Sequence, residues 1–164
     1  MNLNNPRRLA LGAALALAIG TVSASSPHFV RGPNASINND GEVTVSWKEA
    51  GLGSTTIVFY EASADANARY QCVNRGGNCP AAANKQDVTG VVSAEGEFQS
   101  GKNGQITASL TILPPESTLV CPGNQVLELV SVSYTGIALA DVTNDVVALA
   151  TPSSLSMSGP ECPD

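Results

Sequence analysis

Apolar and polar side chains alternate along much of the chain, and this pattern predicts β-strands that each bury one face. The alternation is regular over residues 43–48. A segment rich in β-branched and aromatic residues follows at 55–62, after a glycine-containing turn at 51–53, and residues 68–72 form a third predicted strand. Almost no segment has the periodicity of an amphipathic helix. The chain is therefore predicted to be all-β.

Two hairpins are predicted in the second half of the chain. Segments 92–98 and 106–112 both alternate, and the sequence Lys102-Asn103-Gly104 lies between them. Because Asn-Gly favours the positive φ angles of a tight turn, these two segments are predicted to pair with each other. A last hairpin is predicted to join residues 137–142 to residues 146–150.

Between the two hairpins, the apolar residues change parity. Leu127 and Leu129 occupy one set of alternate positions, whereas Val130, Val132 and Tyr134 occupy the other set. A β-bulge adds one residue to a strand and so turns the following side chains to the opposite face. A bulge near Leu129 and Val130 would therefore point all five residues to the core.

The number of strands predicts the architecture. Seven or eight short strands, each followed by turn residues, predict an immunoglobulin-like antiparallel β-sandwich, with a small closed β-barrel as the alternative. Trp47 precedes all four cysteines, whereas antibody domains place the core tryptophan between the two bridged cysteines. The sandwich is therefore predicted to be Ig-like without being a true immunoglobulin domain.

The first residues have the pattern of a secretory signal peptide. Arg7 and Arg8 precede an apolar run at 9–22, which ends in the small-x-small sequence Val22-Ser23-Ala24. Cleavage after Ala24 would leave one domain of 140 residues, 25–164. The arginine pair also fits a twin-arginine signal, which leaves the export route open. No second apolar stretch is long enough to span a membrane, so a secreted, extracellular protein is expected.

The charge of the mature chain restricts its partners. Without Arg7 and Arg8, six Lys and Arg residues remain against 14 Asp and Glu residues, so the formal net charge is −8. Such a charge repels nucleic-acid phosphates and anionic lipid, and the remaining basic residues are scattered rather than clustered. Nucleic acid is therefore not an expected partner.

Four cysteines in an exported chain predict two disulfides. Zinc is disfavoured because the cysteines are not closely paired and the chain has a single histidine. The expected pairing joins Cys72 to Cys121, which would staple two framework strands, and Cys79 to Cys162. The second bridge would tie down residues 152–164, which show no strand pattern, so its loss should mainly free this tail. The local alternative pairs Cys72 with Cys79 and Cys121 with Cys162.

Several segments also carry a resemblance, namely residues 45–53, 84–85 and 100–110, together with Cys121-Pro122-Gly123. Through them the chain resembles, over residues 41–144, a group of small secreted microbial proteins of unknown function. The resemblance implies a secreted, single-domain protein, and it implies no activity, cofactor or catalytic residue.

Few residues could support catalysis. His28 is the only candidate base for a serine-hydrolase triad, but it lies close to the predicted cleavage site, where chains are commonly mobile, and the chain has no G-x-S-x-G turn. Glu95 and Glu97 would project from one strand face about 7 Å apart, as a glycosidase carboxylate pair could. An exposed acidic pair equally discourages sheet edges from associating. A secreted hydrolase is therefore the alternative interpretation.

Asp141, Asn144 and Asp145 surround a predicted turn and offer the hard oxygen ligands that calcium prefers. Such residues equally form local hydrogen bonds in turns, and the spacing of an EF-hand is missing. A calcium-dependent adhesion module is a further alternative, and no other cofactor is expected.

A sugar-stacking platform is disfavoured because the aromatic residues fit core positions, with Phe29 alone expected outside. Asn34 begins a glycosylation sequon that matters only in a eukaryotic host.

The most distinctive surface feature is the Gly- and Asn-rich loop between Cys72 and Cys79. Function often resides in loops that a rigid scaffold presents, so Asn74, Arg75 and Asn78 are the candidate binding residues. An ordinary disulfide-anchored turn is the competing interpretation. The sequence thus favours a non-catalytic binding or surface-matrix protein whose partner is an extracellular macromolecule.

Overall fold

The structure, a computed structural model, describes residues 26–81 and 83–163. The predicted signal peptide, 1–24, and its cleavage site lie outside the described residues. Within these ranges, all regular secondary structure is β. The strands are β1 His28–Ile37, β2 Val43–Ala50, β3 Ile57–Val73, β4 Lys85–Gln99, β5 Ile106–Ile112, β6 Val126–Asp141, β7 Val146–Leu149 and β8 Leu155–Ser158. None of the described residues forms a helix long and apolar enough to cross a membrane.

The strands form two antiparallel sheets around one core. The first sheet has the order β1-β2-β5, and the second has the order β4-β3-β6-β7, with β8 also paired to β6. Buried apolar side chains from both sheets form a single cluster. The all-β sandwich is therefore confirmed, and the sheets are open rather than closed into a barrel. The immunoglobulin-like topology stays a prediction.

Strand β3 is longer than predicted. The sequence suggested separate strands at 55–62 and 68–72, but alternation continues without a break, and Ala62, Ala64, Ala66 and Ala68 all face the core. Alanine contributes little apolar surface, so these inward positions do not stand out in a hydrophobic pattern. One strand of 17 residues therefore forms the centre of the larger sheet.

The predicted hairpin across residues 102–104 is wrong. Strand β4 pairs with β3, and β5 pairs with β2 in the other sheet. A tight turn does form, since Gly104 N donates to Gly101 O at 2.9 Å, but Leu52 N donates to Gly104 O at 3.1 Å, and Ser100 Oγ donates to Gly53 O at 2.7 Å. These contacts to the loop after β2 hold the segment in which the chain crosses from β4 of the larger sheet to β5 of the smaller sheet.

The predicted bulge in β6 is confirmed. Arg69 pairs with Ser131 and Tyr70 pairs with Leu129, so Val130 is left out of the register, and it is buried. Leu127 differs from the prediction, because 42% of its surface is exposed. The last hairpin, β6 with β7, is also confirmed.

The C-terminal segment is better ordered than the sequence suggested. Residues 155–158 form β8, so the prediction of a tail without strands is wrong. Beyond β8, the buried Gln71 side chain accepts a hydrogen bond from Cys162 N at 2.9 Å and donates one to Pro160 O at 3.1 Å. The disulfides join Cys72 to Cys121 and Cys79 to Cys162, which is the pairing expected from the sequence.

The start of the described chain also differs from the expectation. His28 is exposed but begins β1, so it does not lie in a mobile tail. Phe29, expected outside the core, is half-buried and packs against the core cluster. The reason is that β1 pairs with β2 from its first residues, with His28 opposite Ala50.

Candidate functional site

The predicted binding loop is an exposed turn. Asn74 N donates to Asn78 O at 2.9 Å, and Gly77 N donates to Asn74 O at 3.0 Å. Within residues 26–81 and 83–163, the side chains of Asn74, Arg75 and Asn78 make no hydrogen bond to the protein, and all three are exposed. The loop is thus free to contact a partner, but its geometry does not indicate the chemistry of one.

The calcium candidates belong to a turn. Asp141 is fully buried, and its Oδ1 and Oδ2 accept hydrogen bonds from the backbone N and side-chain Nδ2 of Asn144, at 2.9 and 2.7 Å. Asp145 is exposed and has a φ of 57°. Among the described residues, no group of three or more His, Cys, Asp or Glu side chains could hold a metal ion. The Asp141 carboxylate therefore closes the turn between β6 and β7.

Glu95 and Glu97 are exposed on the outer face of β4, which is an edge strand. Glu61 lies directly opposite Glu95 on β3. The three carboxyl groups stand on an open face, which does not enclose a substrate. Asn34 of the sequon is also exposed, on β1, and its Nδ2 donates to Gly32 O at 3.0 Å.

Strand pairing assembles a different polar surface, on the outer face of the larger sheet. Two rows of side chains run across β4, β3, β6 and β8, each residue directly opposite the next. We name these eight residues the polar array: Asp87, Arg69, Ser131 and Ser158 form its first row, and Thr89, Asn67, Ser133 and Ser156 form its second.

The polar array lies in an open groove of about 500 Å³. Seven of its eight residues line this groove together with Glu161 of the C-terminal segment, and Thr89 lines an adjoining depression of about 130 Å³. Adjacent strands lie about 4.8 Å apart, so the array offers a hydrogen-bonding group at each step across the sheet. Six of these side chains make no hydrogen bond within the described part of the chain: Asn67, Thr89, Ser131, Ser133, Ser156 and Ser158.

The charges at the end of the groove neutralise one another. Arg69 Nε and Nη2 donate to the two carboxylate oxygens of Asp87 at 2.7 and 2.9 Å, and Arg69 Nη1 donates to Glu161 Oε1 at 2.9 Å. Lys85 Nζ lies 3.2 Å from the same Glu161 oxygen. The hydrogen bond from Arg69 lowers the pKa of Asp87, and those from Lys85 and Arg69 lower the pKa of Glu161. Two positive groups thus balance two negative ones.

Sequence reasoning missed the polar array because its rows exist only after the strands pair. Each member is an ordinary polar residue at an outward strand position, and β8 itself was not predicted. A usable signal is present in the repeated Ser-x-Ser pattern of β6 and β8, with Ser131 and Ser133 in one strand and Ser156 and Ser158 in the other. Matching these two segments as neighbours would have placed four hydroxyl groups side by side.

A second polar cluster lies inside the core. Tyr60 Oη donates to Glu49 Oε2 at 2.7 Å, and Glu49, Tyr60 and Asp141 are all fully buried. The pKa of Glu49 is raised to about 7, chiefly by burial and also by the charge of Asp141, while the hydrogen bond from Tyr60 opposes both effects. Burial also raises the pKa of Tyr60. Glu49 Oε1 and Trp47 Nε1 are buried without a hydrogen-bond partner among the described groups.

Comparison with known proteins identifies no relative: no protein-family model, curated protein or solved structure matches this chain. The resemblance to secreted microbial proteins therefore stays a prediction.

Proposed function

We propose that the protein is a secreted, non-catalytic binding protein that holds a neutral, hydroxyl-rich extracellular polymer, of the polysaccharide class, on its polar array. One observation carries the proposal: six hydroxyl and amide side chains, unpaired within the described residues, lie side by side, five of them in one open groove and Thr89 in the depression that adjoins it. Strand pairing fixes their spacing, so a ligand can be bound without first ordering the protein surface.

The shape of the groove supports a polymer rather than a small molecule. Pockets for small ligands are mostly apolar and enclose most of the ligand surface. This groove is open and mainly polar, and it continues past Ser133 into two adjoining depressions. An extended chain that hydrogen-bonds along the two rows matches that form.

The electrostatics support a neutral ligand. The mature chain has a formal charge of −8, which disfavours anionic polymers. Inside the groove, the charged groups are already engaged with each other, so neither sign of charge is in excess there. Hydroxyl and amide groups remain as the available contacts, and these suit the hydroxyl groups of a neutral polysaccharide.

The protonation states of the two carboxyl groups in the groove support binding without catalysis. A general acid needs a pKa near the working pH, but hydrogen bonds from Arg69 and Lys85 lower the pKa values of Asp87 and Glu161. The two disulfides support an oxidising, extracellular environment, in agreement with the predicted signal peptide.

The proposal is tested by co-sedimentation of the mature protein with insoluble cellulose, chitin and β-1,3-glucan, and with pectate as an anionic control. We expect at least one neutral polymer to bind and pectate not to bind. The double variant Ser133→Ala/Ser156→Ala should bind the neutral polymer about tenfold more weakly, because two hydrogen bonds of about 0.7 kcal/mol each are lost. Failure of every neutral polymer to bind, or binding of pectate alone, would contradict the proposed ligand class.

A matched control exists on the same sheet face. Ser63 and Ser93 form another cross-strand serine pair, on β3 and β4, outside the polar array. Ser63→Ala/Ser93→Ala removes the same atoms from the same face, so its affinity should equal that of the unmodified protein. Equal weakening by both double variants would show that the binding surface is not the polar array.

The loop at residues 74–78 is tested in the same assay. Asn74 lies five positions after Arg69 along the chain, roughly 17 Å of extended strand, so the loop lies apart from the array. Arg75→Ala should leave both the affinity and the melting temperature nearly unchanged, since exposed substitutions alter stability by no more than about 0.5 kcal/mol. Loss of binding in Arg75→Ala, with normal binding by Ser133→Ala/Ser156→Ala, would assign the contact to the loop.

A further inference from the structure

A pair of buried carboxyl groups connects the two sheets of the sandwich. Glu49 lies on β2 in the smaller sheet and Asp141 lies at the end of β6 in the larger sheet, and neither is accessible to solvent. Tyr60 of β3 pairs with Asp141 across the sheet, and its hydroxyl group donates a hydrogen bond to Glu49. The polar contact therefore passes from one sheet to the other through the core.

The hydrogen bonding of the pair is complete only if it holds a proton. Asp141 accepts two hydrogen bonds from Asn144, one at each carboxyl oxygen. Glu49 accepts one, at Oε2, and its buried Oε1 has no partner among the described donors. Two ionised carboxyl groups in one buried site would repel each other, so the position of Glu49 beside Asp141 favours a proton on Glu49. A proton on Glu49 Oε1, directed to Asp141, satisfies that orphaned oxygen.

We propose that the buried Glu49 carries a proton and donates it in a hydrogen bond to Asp141, and that this proton acts as a pH-dependent latch between the two sheets. The latch lies at the end of the sandwich formed by the loop at residues 51–56 and the turn at 142–145. While the proton is present, the cluster is a bridge between the sheets. After its loss, the core contains two like charges, and the bridge becomes repulsive.

The pH range of the latch follows from the groups around it. The charged or titratable groups that face Glu49 are Tyr60 on β3, Asp141 on β6 and the exposed His28 on β1. Burial raises the pKa of Glu49 from 4.5 to about 7. A carboxyl group with a raised folded-state pKa stabilises the fold fully below pH 4.5, and this contribution is lost as the pH rises through about 7. The latch is therefore closed in mild acid and open in mild alkali.

The protein contains its own probe of this site. Trp47 is the only tryptophan in the chain, and its ring centroid lies 4.8 Å from that of Tyr60. The fluorescence of Trp47 should therefore change with the charge of Glu49. We expect a single transition near pH 7 in the unmodified protein and no transition in Glu49→Gln. In His28→Gln the transition should persist with the same or a slightly higher midpoint, because the charge of His28 lowers the pKa of Glu49. A transition that persists in Glu49→Gln, or disappears in His28→Gln, would overturn the proposal.

A measurement on the unmodified protein alone keeps the test decisive if Glu49→Gln does not fold. Carboxyl carbon NMR of the unmodified protein should show one glutamate that titrates near pH 7, and its absence would contradict the proposal.

Amide hydrogen exchange tests the opening itself. Val142 N donates to Phe59 O at 2.9 Å beside the pair, so this amide should exchange faster in the unmodified protein than in Glu49→Gln above pH 8, and equally at pH 5. If the amide exchanged at the same rate in both proteins at both pH values, Glu49 would not act as a latch.

Discussion

Replacing Cys72 and Cys121 together by alanine is expected to lower the free energy of unfolding by about 4 kcal/mol. The two residues lie 49 positions apart, and their disulfide shortens the unfolded chain by closing a long loop. Cys72 is fully buried near the end of β3, whereas Cys121 lies in the connection before β6. Denaturant unfolding of the mature chain, with and without the double substitution, measures the difference.

The second disulfide provides the comparison. Cys79 and Cys162 lie 83 positions apart, for which the same chain-entropy model gives about 4.5 kcal/mol. The sequence suggested that loss of this bridge would mainly free a tail, but the tail contains β8 and is anchored to the buried Gln71. We therefore expect the two double-alanine variants to lose similar stability. A loss below about 1 kcal/mol for Cys79→Ala/Cys162→Ala would show that the tail is a separable appendage.

Trp47→Ala is expected to destabilise the protein by about 3 to 5 kcal/mol. Only 2% of Trp47 is exposed, and it lies on β2, facing Tyr60 and Phe98 of the opposite sheet at centroid distances of 4.8 and 5.4 Å. Its removal would leave a cavity between the sheets and end both aromatic contacts. Thermal unfolding followed by far-ultraviolet circular dichroism checks the loss, because this signal does not depend on the tryptophan.

Trp47→Phe is the control for that prediction. Phenylalanine keeps most of the ring contacts, and it removes an indole Nε1 that is buried without a hydrogen-bond partner among the described groups. The loss should therefore stay below about 1.5 kcal/mol. If Trp47→Phe and Trp47→Ala destabilised the protein equally, the ring would not be packed between the two sheets.

The features predicted correctly depend on short stretches of sequence. The bulge at Val130 follows from a change of parity within eight residues, and the last hairpin follows from two apolar segments around a turn. Strand pairing across the sandwich depends on contacts between distant loops. The Asn103-Gly104 turn forms, yet Gly104 binds the loop after β2, and β5 consequently enters the smaller sheet.

The candidate site was harder to predict than the fold, because no single segment contains it. Arg69, Asp87 and Glu161 come from β3, β4 and the C-terminal segment, and the serines come from β6 and β8. Glu49 and Asp141 were equally inconspicuous, since acidic residues in a strand or turn are normally exposed. In the sequence, Glu49 shares the parity of the inward-facing Val45 and Trp47, but only the assembled core reveals that it is buried beside Asp141.

Amide NMR chemical shifts test most directly whether the polar array binds a neutral polysaccharide. A soluble neutral oligosaccharide, such as cellohexaose or chitohexaose, is titrated into the isotope-labelled mature protein. We expect little change at the 74–78 loop and the largest shifts at the polar-array residues Asn67, Thr89, Ser131, Ser133, Ser156 and Ser158. Shifts confined to that loop, or none with any neutral oligosaccharide, would contradict this expectation.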